Sequence, residues 1–311
     1  ENRTNDFKVT AHATALERKL NGSGGAAFNS SCVSCHSLGY ETAAAATNNG
    51  FDDIALQGGW TFPANLAMTN MISGPTGWNF ASNMVVTNMA ATNWASMSTA
   101  LQNKANIQCE NCHGPADRHM RGPSAANSIT VSLSAGNCAQ CHDSTPQYMK
   151  NYEWSQSMHA TGYVFQTSGS CAGCHSAMGF IDSIDPDYTG ASYSPRGSGN
   201  EGIACAACHE PHAAGMGEAQ LRSIPSVTLS NGVVITEGGD GLLCMSCHHD
   251  RYDANARVLT TSGPHYGTQA DMLTGKNAIE YGMTIPSSLH LSLLTNSCVE
   301  CHMQTTSTNA L

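Results

Sequence analysis

The sequence predicts a mostly irregular fold with short α-helices and few β-hairpins. Only 41% of its 311 residues are hydrophobic and 6% are aromatic, so side chains alone would make a thin core. A short cysteine and histidine pattern also recurs along the chain at uneven intervals, which indicates a repeated motif and not a repeated structural unit. The chain therefore needs another source of buried apolar surface.

The pattern Cys-x-x-Cys-His occurs seven times and uses all fourteen cysteines of the chain. Motifs 1 to 7, numbered in chain order, are Cys32/Cys35/His36, Cys109/Cys112/His113, Cys138/Cys141/His142, Cys171/Cys174/His175, Cys205/Cys208/His209, Cys244/Cys247/His248 and Cys298/Cys301/His302.

This pattern is the attachment signature of a c-type haem. Two thiols add across the two vinyl groups of one porphyrin, and the next histidine is then held close enough to ligate the iron as the proximal ligand. The sequence therefore predicts seven covalently bound c-type haems. Each haem is a large apolar plate, so we expect haem packing to replace much of the core and the chain not to fold without haem.

Disulfides, zinc and thioredoxin-like redox chemistry are the alternatives for paired cysteines. A disulfide framework gives no reason for a histidine after every second cysteine. Zinc sites built from Cys-x-x-Cys pairs are the better rival, but they too leave seven adjacent histidines unexplained. A thioredoxin-like role would need only one such motif per domain.

The formal net charge is −10, and only 13 lysines and arginines are present. This balance excludes the basic patch that nucleic-acid binding requires. The sequence contains no run of 18 apolar residues, so it predicts no transmembrane helix. The chain starts at Glu1 without a charged and apolar leader, so we expect an exported, mature chain whose signal peptide has been removed.

Four segments are predicted along the chain. Residues 1–31 form an N-terminal segment with a helix from Val9 to Leu20, and 32–108 hold the first haem and a haem-poor insertion. Residues 109–303 form a haem-dense region with six haems, and 304–311 form a polar tail. The tryptophans of the insertion, Trp60, Trp78 and Trp94, pack either on porphyrins or a neighbouring molecule, or in a small private core.

Three further elements are predicted in the haem-dense region. Gln147 to Ala160 has the pattern of a helix. Val227 to Thr236 has β-branched runs on both sides of Asn231-Gly232, which predicts a hairpin with a tight turn. A last helix is expected to lead through His290 into motif 7.

Seven histidines lie outside the motifs, and seven irons need seven sixth ligands if each is six-coordinate. These candidate distal ligands are His12, His119, His159, His212, His249, His265 and His290. His249 directly follows His248, and His212 is too close to His209 to face it across one iron, so both would bind other haems. Methionine can compete as an axial ligand, but the count favours bis-histidine ligation and low potentials.

His12 lies on a separable N-terminal segment. Because termini can reach partners, it is a candidate to complete a haem in a neighbouring subunit. Donation within its own chain is the open alternative.

Four stretches resemble multihaem cytochromes c of the broad grouping around hydroxylamine oxidoreductase and pentahaem nitrite reductase. They are Cys-Glu-Asn-Cys-His-Gly-Pro with His119, Glu153 to His159, Cys-His-Glu-Pro-His212, and Gly263-Pro-His265-Tyr-Gly, within residues 105–303. The polar composition also resembles extracellular cytochromes of metal-respiring microbes that polymerise into conductive filaments. That resemblance implies stacked haems and end-to-end assembly. The lysine-ligated motif of the nitrite reductases is absent.

Two classes of function remain. The first is an electron carrier, not an enzyme: a subunit of an extracellular or cell-surface homo-polymer (a cytochrome nanowire) that passes electrons between redox partner cytochromes and an extracellular acceptor. The second is a periplasmic reductase or oxidase of a nitrogen or sulfur compound with one open iron. A monomeric soluble shuttle is a weaker form of the first.

Overall fold

The computed structural model describes residues 3–21, 30–43, 47–63, 72–73, 79–80, 92–122, 132–143, 149–161, 171–185, 201–213, 218–257 and 267–303. Within these ranges the chain is mostly irregular, with many short helices and two two-stranded hairpins. The longest described helices, Ala135–His142 and Ala177–Ile184, have only eight residues. The predicted fold class is therefore confirmed.

Up to residue 143 the described helices and strands are as follows. They are α1 Arg3–Phe7, α2 Ala15–Leu20, α3 Phe51–Gln57, β1 Ile72–Ser73, β2 Asn79–Phe80, α4 Thr92–Ala95, α5 Thr99–Gln102, α6 Cys109–His113, α7 Asp117–Arg121 and α8 Ala135–His142, with 3-10 helices at His12–Thr14 and Ser30–Ser34.

The described elements after residue 143 are again short. They are α9 Lys150–Ser155, α10 Met158–Thr161, α11 Ala172–His175, α12 Ala177–Ile184, α13 Cys205–Cys208, β3 Val227–Thr228, β4 Val234–Ile235, α14 Gly241–Met245, α15 Ala254–Arg257, α16 Gln269–Thr274, α17 Leu289–Leu293 and α18 Cys298–His302, with a 3-10 helix at Glu218–Gln220.

The chain divides into two compact units. The first contains Glu1–Glu153, Pro211–Ala214 and Thr305–Leu311, and the second contains Trp154–Glu210 and Gly215–Gln304. The division falls inside the segment 109–303 that the motif density marks as one region. Motifs 1 to 3 belong to the first unit and motifs 4 to 7 to the second.

Each unit has a small hydrophobic cluster. In the first unit Leu16, Leu20, Val33, Phe51 and Leu101 are at most 3% exposed and pack together. The cluster of the second unit joins the hairpin residues Val227, Leu229 and Ile235 to Leu242, Met245 and Ala270. Each cluster contains few buried residues for a unit of this size. This agrees with the hydrophobic fraction of only 41%.

The tryptophans of the haem-poor insertion bear on the two alternatives left open for them. Trp60 and Trp94 are partly buried against the first cluster, and the Trp60 ring meets Phe51 edge-on at 5.4 Å between centroids. For these two residues the geometry favours the private core, which Leu16 and Leu20 of the N-terminal segment complete. Trp78 lies outside the described residues.

The stretch from Val9 to Leu20 that the sequence predicts as helical is helical from His12 to Leu20. The chain forms a 3-10 turn at His12–Thr14 followed by α2, and α1 ends at Phe7. The Thr10 hydroxyl donates to the Phe7 carbonyl at 2.7 Å and accepts from the Ala13 N–H at 3.3 Å. A threonine side chain that bonds to nearby backbone in this way competes with a continuous helix.

The helix expected from Gln147 to Ala160 is also broken, into α9 and α10. The Ser157 hydroxyl donates to the Trp154 carbonyl at 2.6 Å, which takes up a helical acceptor at the break. Gln147 lies outside the described residues.

The hairpin at Val227 to Thr236 is confirmed. β3 pairs antiparallel with β4, and Val227 faces Ile235. Asn231 accepts the Val233 N–H through its side chain, and Gly232 has φ of +84°, a conformation that glycine adopts readily. A second hairpin, β1 with β2, was not foreseen.

The last predicted helix stops before motif 7. α17 ends at Leu293, and α18 starts at Cys298 after Ser297, which has φ of +38°. The part of the chain that the structure describes contains no helix long and apolar enough to cross a membrane.

The buried side chain of Asn277 makes three hydrogen bonds that connect separate segments of the second unit. This residue has φ of +49° and is 7% exposed. Its amide donates to the Tyr252 carbonyl at 3.0 Å and to the Asp271 carboxylate at 2.8 Å, and its side-chain oxygen accepts the Ala254 N–H at 2.9 Å. Because asparagine tolerates left-handed backbone, one residue supplies both the turn and three hydrogen bonds.

We expect Asn277→Ala to lower the free energy of unfolding of the holo-protein by about 2–4 kcal/mol, since it leaves buried polar groups unpaired in a strained turn. Guanidinium denaturation followed by circular dichroism measures the change. Asn255→Ala, at an exposed position in the same region, is the matched control and should change stability by less than about 0.5 kcal/mol. Equal effects of the two variants would contradict the role given to Asn277.

Candidate functional site

Each described motif lies in, or directly after, one short helical turn. In motifs 1, 5 and 6 the histidine N–H donates to the carbonyl of the first cysteine, at 3.2 Å for His36, 2.9 Å for His209 and 2.9 Å for His248. Residues three and four apart are neighbours on a helix surface. The spacing Cys-x-x-Cys-His therefore presents all three groups to one flat ligand.

All fourteen cysteines are among the described residues, and no two of them are joined by a disulfide bond. Cys109, Cys112 and Cys301 are exposed, and the others are half-buried. Across the described ranges no group of three or more histidine, cysteine or acidic side chains is placed to hold a metal ion.

Three motif histidines face a histidine from a distant part of the chain. The ring centroids are 6.0 Å apart for His12 and His142, and 5.9 Å apart for His113 and His212. In the second unit His159 and His248 are 6.0 Å apart. Each pair combines one predicted proximal ligand with one predicted distal ligand.

This separation fits one metal ion between the rings. Imidazole nitrogens bind first-row metals such as zinc at about 2.0–2.1 Å, and the ring centre lies about 1.1 Å further on, so two rings on opposite sides of one ion have centroids about 6.3 Å apart. The observed 5.9–6.0 Å is within a few tenths of that value.

The ring planes differ between the pairs. His12 and His142 cross at 72°, and His159 and His248 at 67°. His113 and His212 are nearly parallel, with 10° between their planes.

Asn106 and Ile107 hold His12 in place. The Ile107 N–H donates to the His12 carbonyl at 3.1 Å. The Asn106 side chain, at a residue with φ of +66°, accepts from the N–H groups of Leu16 and Glu17 at 2.8 and 3.0 Å. It thereby caps the start of α2 and ties the N-terminal segment to the chain just before motif 2.

A different set of contacts positions His113. Gln108 and Asn111 form a reciprocal cap at the start of α6, where the Gln108 N–H donates to Asn111 at 2.8 Å. The Asn111 amide also donates to the Ser37 carbonyl at 3.0 Å. His113 is the last residue of this fixed turn.

The backbone leaves the helix of motif 5 at His209, and a turn at Pro211 and His212 follows. His209 leaves the helix with φ of −107° and ψ of 134° and bridges to Leu221. Its Nδ1 lies 2.9 Å from the Ala219 carbonyl. A donor Nδ1–H in this contact leaves Nε2 for a metal, the arrangement that commonly orients ligating histidines.

His249 makes a similar contact, with Nδ1 2.7 Å from the Asp250 carbonyl. Its neighbour His248 is fixed through its own carbonyl, which accepts the Ala270 N–H at 2.8 Å. Consecutive histidines are thus held by separate partners.

Burial lowers the pKa of His12, His36 and His159 below the usual value of 6.5. For His12 the neighbouring His142 and His36 add to this effect, and for His159 His248 does so. Neutral imidazole is the form that ligates metal, so burial favours the binding form.

A buried ion pair braces motif 5. The Arg222 guanidinium lies 2.8 Å from the Glu210 carboxylate, with both side chains about 10% exposed (11% and 8%). Arg222 also donates to the Ala206 carbonyl at 3.1 and 3.2 Å. These contacts clamp the motif helix to residues 218–222, which carry the Ala219 carbonyl.

Large apolar side chains are exposed beside several candidate ligands. Met158 next to His159 is 70% exposed, Leu289 and Leu293 around His290 are each 74% exposed, and Met303 after His302 is 61% exposed. Apolar groups gathered at ligand positions fit a large apolar prosthetic group that covers them. The residues present therefore fit haem in ligand type, spacing and surface.

The remaining predicted ligands are placed as follows. His175 and His302 end α11 and α18, and His36 follows the 3-10 turn of motif 1. His290 lies in α17. His119 lies in α7, its side chain is not described, and His265 lies outside the described residues. The positioning residues Asn106, Ala219 and Arg222 were missed by sequence reasoning, because only long-range contacts give them this role.

Thiols of different motifs also meet. In the first unit the Cys141 thiol contacts Cys35, both through its side chain and at 3.8 Å from its carbonyl, and burial together with Cys35 raises the pKa of Cys141 to about 12. In the second unit Cys174 is hydrogen-bonded to Cys247, which lowers the pKa of Cys174 to about 6.

Cys244 and Cys298 form a third such contact, which lowers the pKa of Cys298 to about 6. The three contacts link motif 1 to motif 3, motif 4 to motif 6, and motif 6 to motif 7.

Comparison with known proteins gives two solved structures. One is the outer cell wall cytochrome OcwA, with a TM-score of 0.43, 20% identity, and coverage of 64% of this chain and 48% of that one. The other is an undecahaem cytochrome from the S-layer of Carboxydothermus ferrireducens, with a TM-score of 0.40, 20% identity, and coverage of 65% and 32%. The chain thus spans less than half of either structure. No protein-family model and no curated protein matches the sequence.

Proposed function

We propose that this chain is an electron conduit that carries seven c-type haems with bis-histidine ligation. The observation that carries the proposal is the set of three histidine pairs at 5.9–6.0 Å, each formed by a motif histidine and a histidine from a remote segment. Centroids 5.9–6.0 Å apart are also within the range of ordinary ring packing, so the support comes from the pairing itself: in all three pairs a motif histidine meets a remote histidine at a separation that one iron between the rings would give.

The proximal ligands are the seven motif histidines, and the distal ligands are the seven others. When bound, haem supplies one-electron chemistry at its iron. The chain itself fixes both axial imidazoles of each iron and holds the motifs near one another. Its two hydrophobic clusters exclude water from the interior of each unit. Two imidazoles per iron leave no position for a substrate, so the role is electron transfer and not catalysis.

Attachment of c-type haem takes place outside the cytoplasmic membrane, so the working location is extracellular or at the cell surface. The polar, low-charge composition supports a subunit of an extracellular filament. Such a subunit would join to further copies of itself and pass electrons to redox partner cytochromes and an extracellular acceptor.

The ligation state has a direct spectroscopic test. We expect intact mass and pyridine haemochrome assays to give seven haems per chain, and electron paramagnetic resonance of the ferric protein to show only low-spin signals. Addition of nitrite, hydroxylamine or sulfite should leave the spectrum unchanged. A high-spin signal that responds to one of these compounds would instead support the enzyme with an open iron.

The ring planes predict two kinds of low-spin signal. Parallel imidazoles act on the same iron d orbital and split the pair, whereas perpendicular imidazoles act on both equally and leave them nearly degenerate. We therefore expect His212→Ala to remove a rhombic low-spin signal and His12→Ala to remove a highly anisotropic one, each with one new high-spin iron.

Thr14→Ala, in the same turn as His12, is the control and should leave all signals in place. Loss of the same type of signal in both histidine variants would contradict the assigned pairs. In each variant six of the seven haems keep both axial ligands. We therefore expect both variants to fold, so their spectra can be compared.

Assembly is tested separately by cryo-electron microscopy of the purified holo-protein. We expect helical filaments with continuous density for haem. A strictly monomeric particle would remove the filament from the proposal and leave a soluble shuttle with the same haems.

A further inference from the structure

The contacts between motifs concern the route of electrons through the chain, and the inference drawn from them rests on the proposed haem conduit. A thioether sulfur is separated from its porphyrin ring by one carbon atom. Two motifs whose sulfurs touch therefore hold the edges of their haems close together. Such contacts report which haems are neighbours.

In the first unit, motifs 1 and 3 meet although motif 2 lies between them in sequence. The Cys141 sulfur is 3.8 Å from the Cys35 carbonyl and contacts the Cys35 side chain. His12 faces His142 of motif 3, with ring centroids 6.0 Å apart, and also lies near His36 of motif 1. Motifs 1 and 3 are therefore connected directly through Cys35 and Cys141, and also through His12, which lies near a histidine of each motif.

In the second unit, motifs 4 and 6 meet although motif 5 lies between them in sequence. The Cys247 sulfur is 3.8 Å from the Gly173 carbonyl, which is inside motif 4, and contacts the Cys174 thiol. His249, directly after motif 6, is also near Cys174. Motif 6 therefore approaches motif 4 through two separate residues.

Motif 6 also meets motif 7 on its other cysteine. Cys244 contacts Cys298. The backbone allows this because Gly241 has no side chain: a Cβ there would lie 1.9 Å from the Ser297 hydroxyl and 3.1 Å from the Cys298 nitrogen. The Ser297 hydroxyl donates to the Gly238 carbonyl at 2.8 Å and fixes the approach.

We propose that the order of haems in space departs from the order of motifs in sequence: haem 1 is a direct neighbour of haem 3, and haem 6 lies between haem 4 and haem 7. Haem 6 uses Cys247 toward one neighbour and Cys244 toward the other, and is the junction of the second unit. Electrons that pass from haem 4 to haem 7 need not visit haem 5.

A double-mutant cycle on Soret circular dichroism tests the proposal, because coupling between two haems appears only when both are present. Haem 4 is removed by Cys171→Ala with Cys174→Ala, haem 6 by Cys244→Ala with Cys247→Ala, and both by the four changes together. Intact mass confirms six, six and five haems. We expect the two single removals to change the spectrum non-additively, and an additive result would overturn the neighbourhood of haems 4 and 6.

The pair of haems 6 and 7, with haem 7 removed in the same way through Cys298 and Cys301, tests the other neighbour proposed for haem 6, and an additive result there would overturn that neighbourhood. If a variant loses further haems or fails to fold, the order of the haems can be determined by cryo-electron microscopy of the wild-type holo-protein. We expect the sulfurs of Cys35 and Cys141, of Cys174 and Cys247, and of Cys244 and Cys298 to lie within van der Waals contact. Sulfurs separated by an intervening haem would refute the order, whereas the haem count and spin state decide the proposed function independently.

Discussion

The pairing of two imidazoles across the space of one iron is the constraint on which the proposed architecture depends. One ring of each pair comes from a motif, and the other comes from a segment 89 to 130 residues away in the sequence. A metal–ligand bond of this kind closes a long loop and ties folding to cofactor binding. Under the proposed ligation, bonds to iron replace contacts between long helices, which accords with the short helices of the described residues.

Local structure follows from that constraint. Each motif needs only one helical turn, and the described motif helices have four to eight residues. The segments between them must change direction often, and left-handed residues such as Asn106 and Asn277 provide both the turn and the hydrogen bonds that fix it. Stability is concentrated at such joints and in two thin clusters, so the surface beside candidate ligands can remain apolar and exposed.

The features that the sequence predicts depend on short-range chemistry. The hairpin at Asn231-Gly232, which is confirmed, is determined by a few adjacent residues. The Cys-x-x-Cys-His motifs are also short, and the candidate ligands stay predictions. The helices from Val9 and from Gln147 were predicted as single pieces because periodicity does not register a threonine or serine that turns back on its own backbone. The β1–β2 hairpin was missed although Gly74-Pro75-Thr76-Gly77 between its strands is a turn signal in the sequence.

The pairs of histidines lay beyond the sequence for a related reason. Counting shows that seven motif histidines can be matched by seven others, but any matching satisfies the count. The choice of His142 for His12 depends on Ile107 and Asn106, which are near His12 only in the folded chain. Of the two alternatives for His12, this geometry favours a ligand donated within its own chain.

The contacts between motifs add a constraint of their own. If the haems were ordered in space as their motifs are ordered in the sequence, each haem would touch only the haems of the preceding and following motifs. The length of the haem chain would then grow with the number of motifs. Motif 6 instead meets motifs 4 and 7 through its two cysteines. Under the proposed haem attachment, the spacing of two residues between these cysteines also sets the spacing of the two neighbouring haems. The Cys-x-x-Cys-His turn would then hold one haem and also fix where the next haems lie.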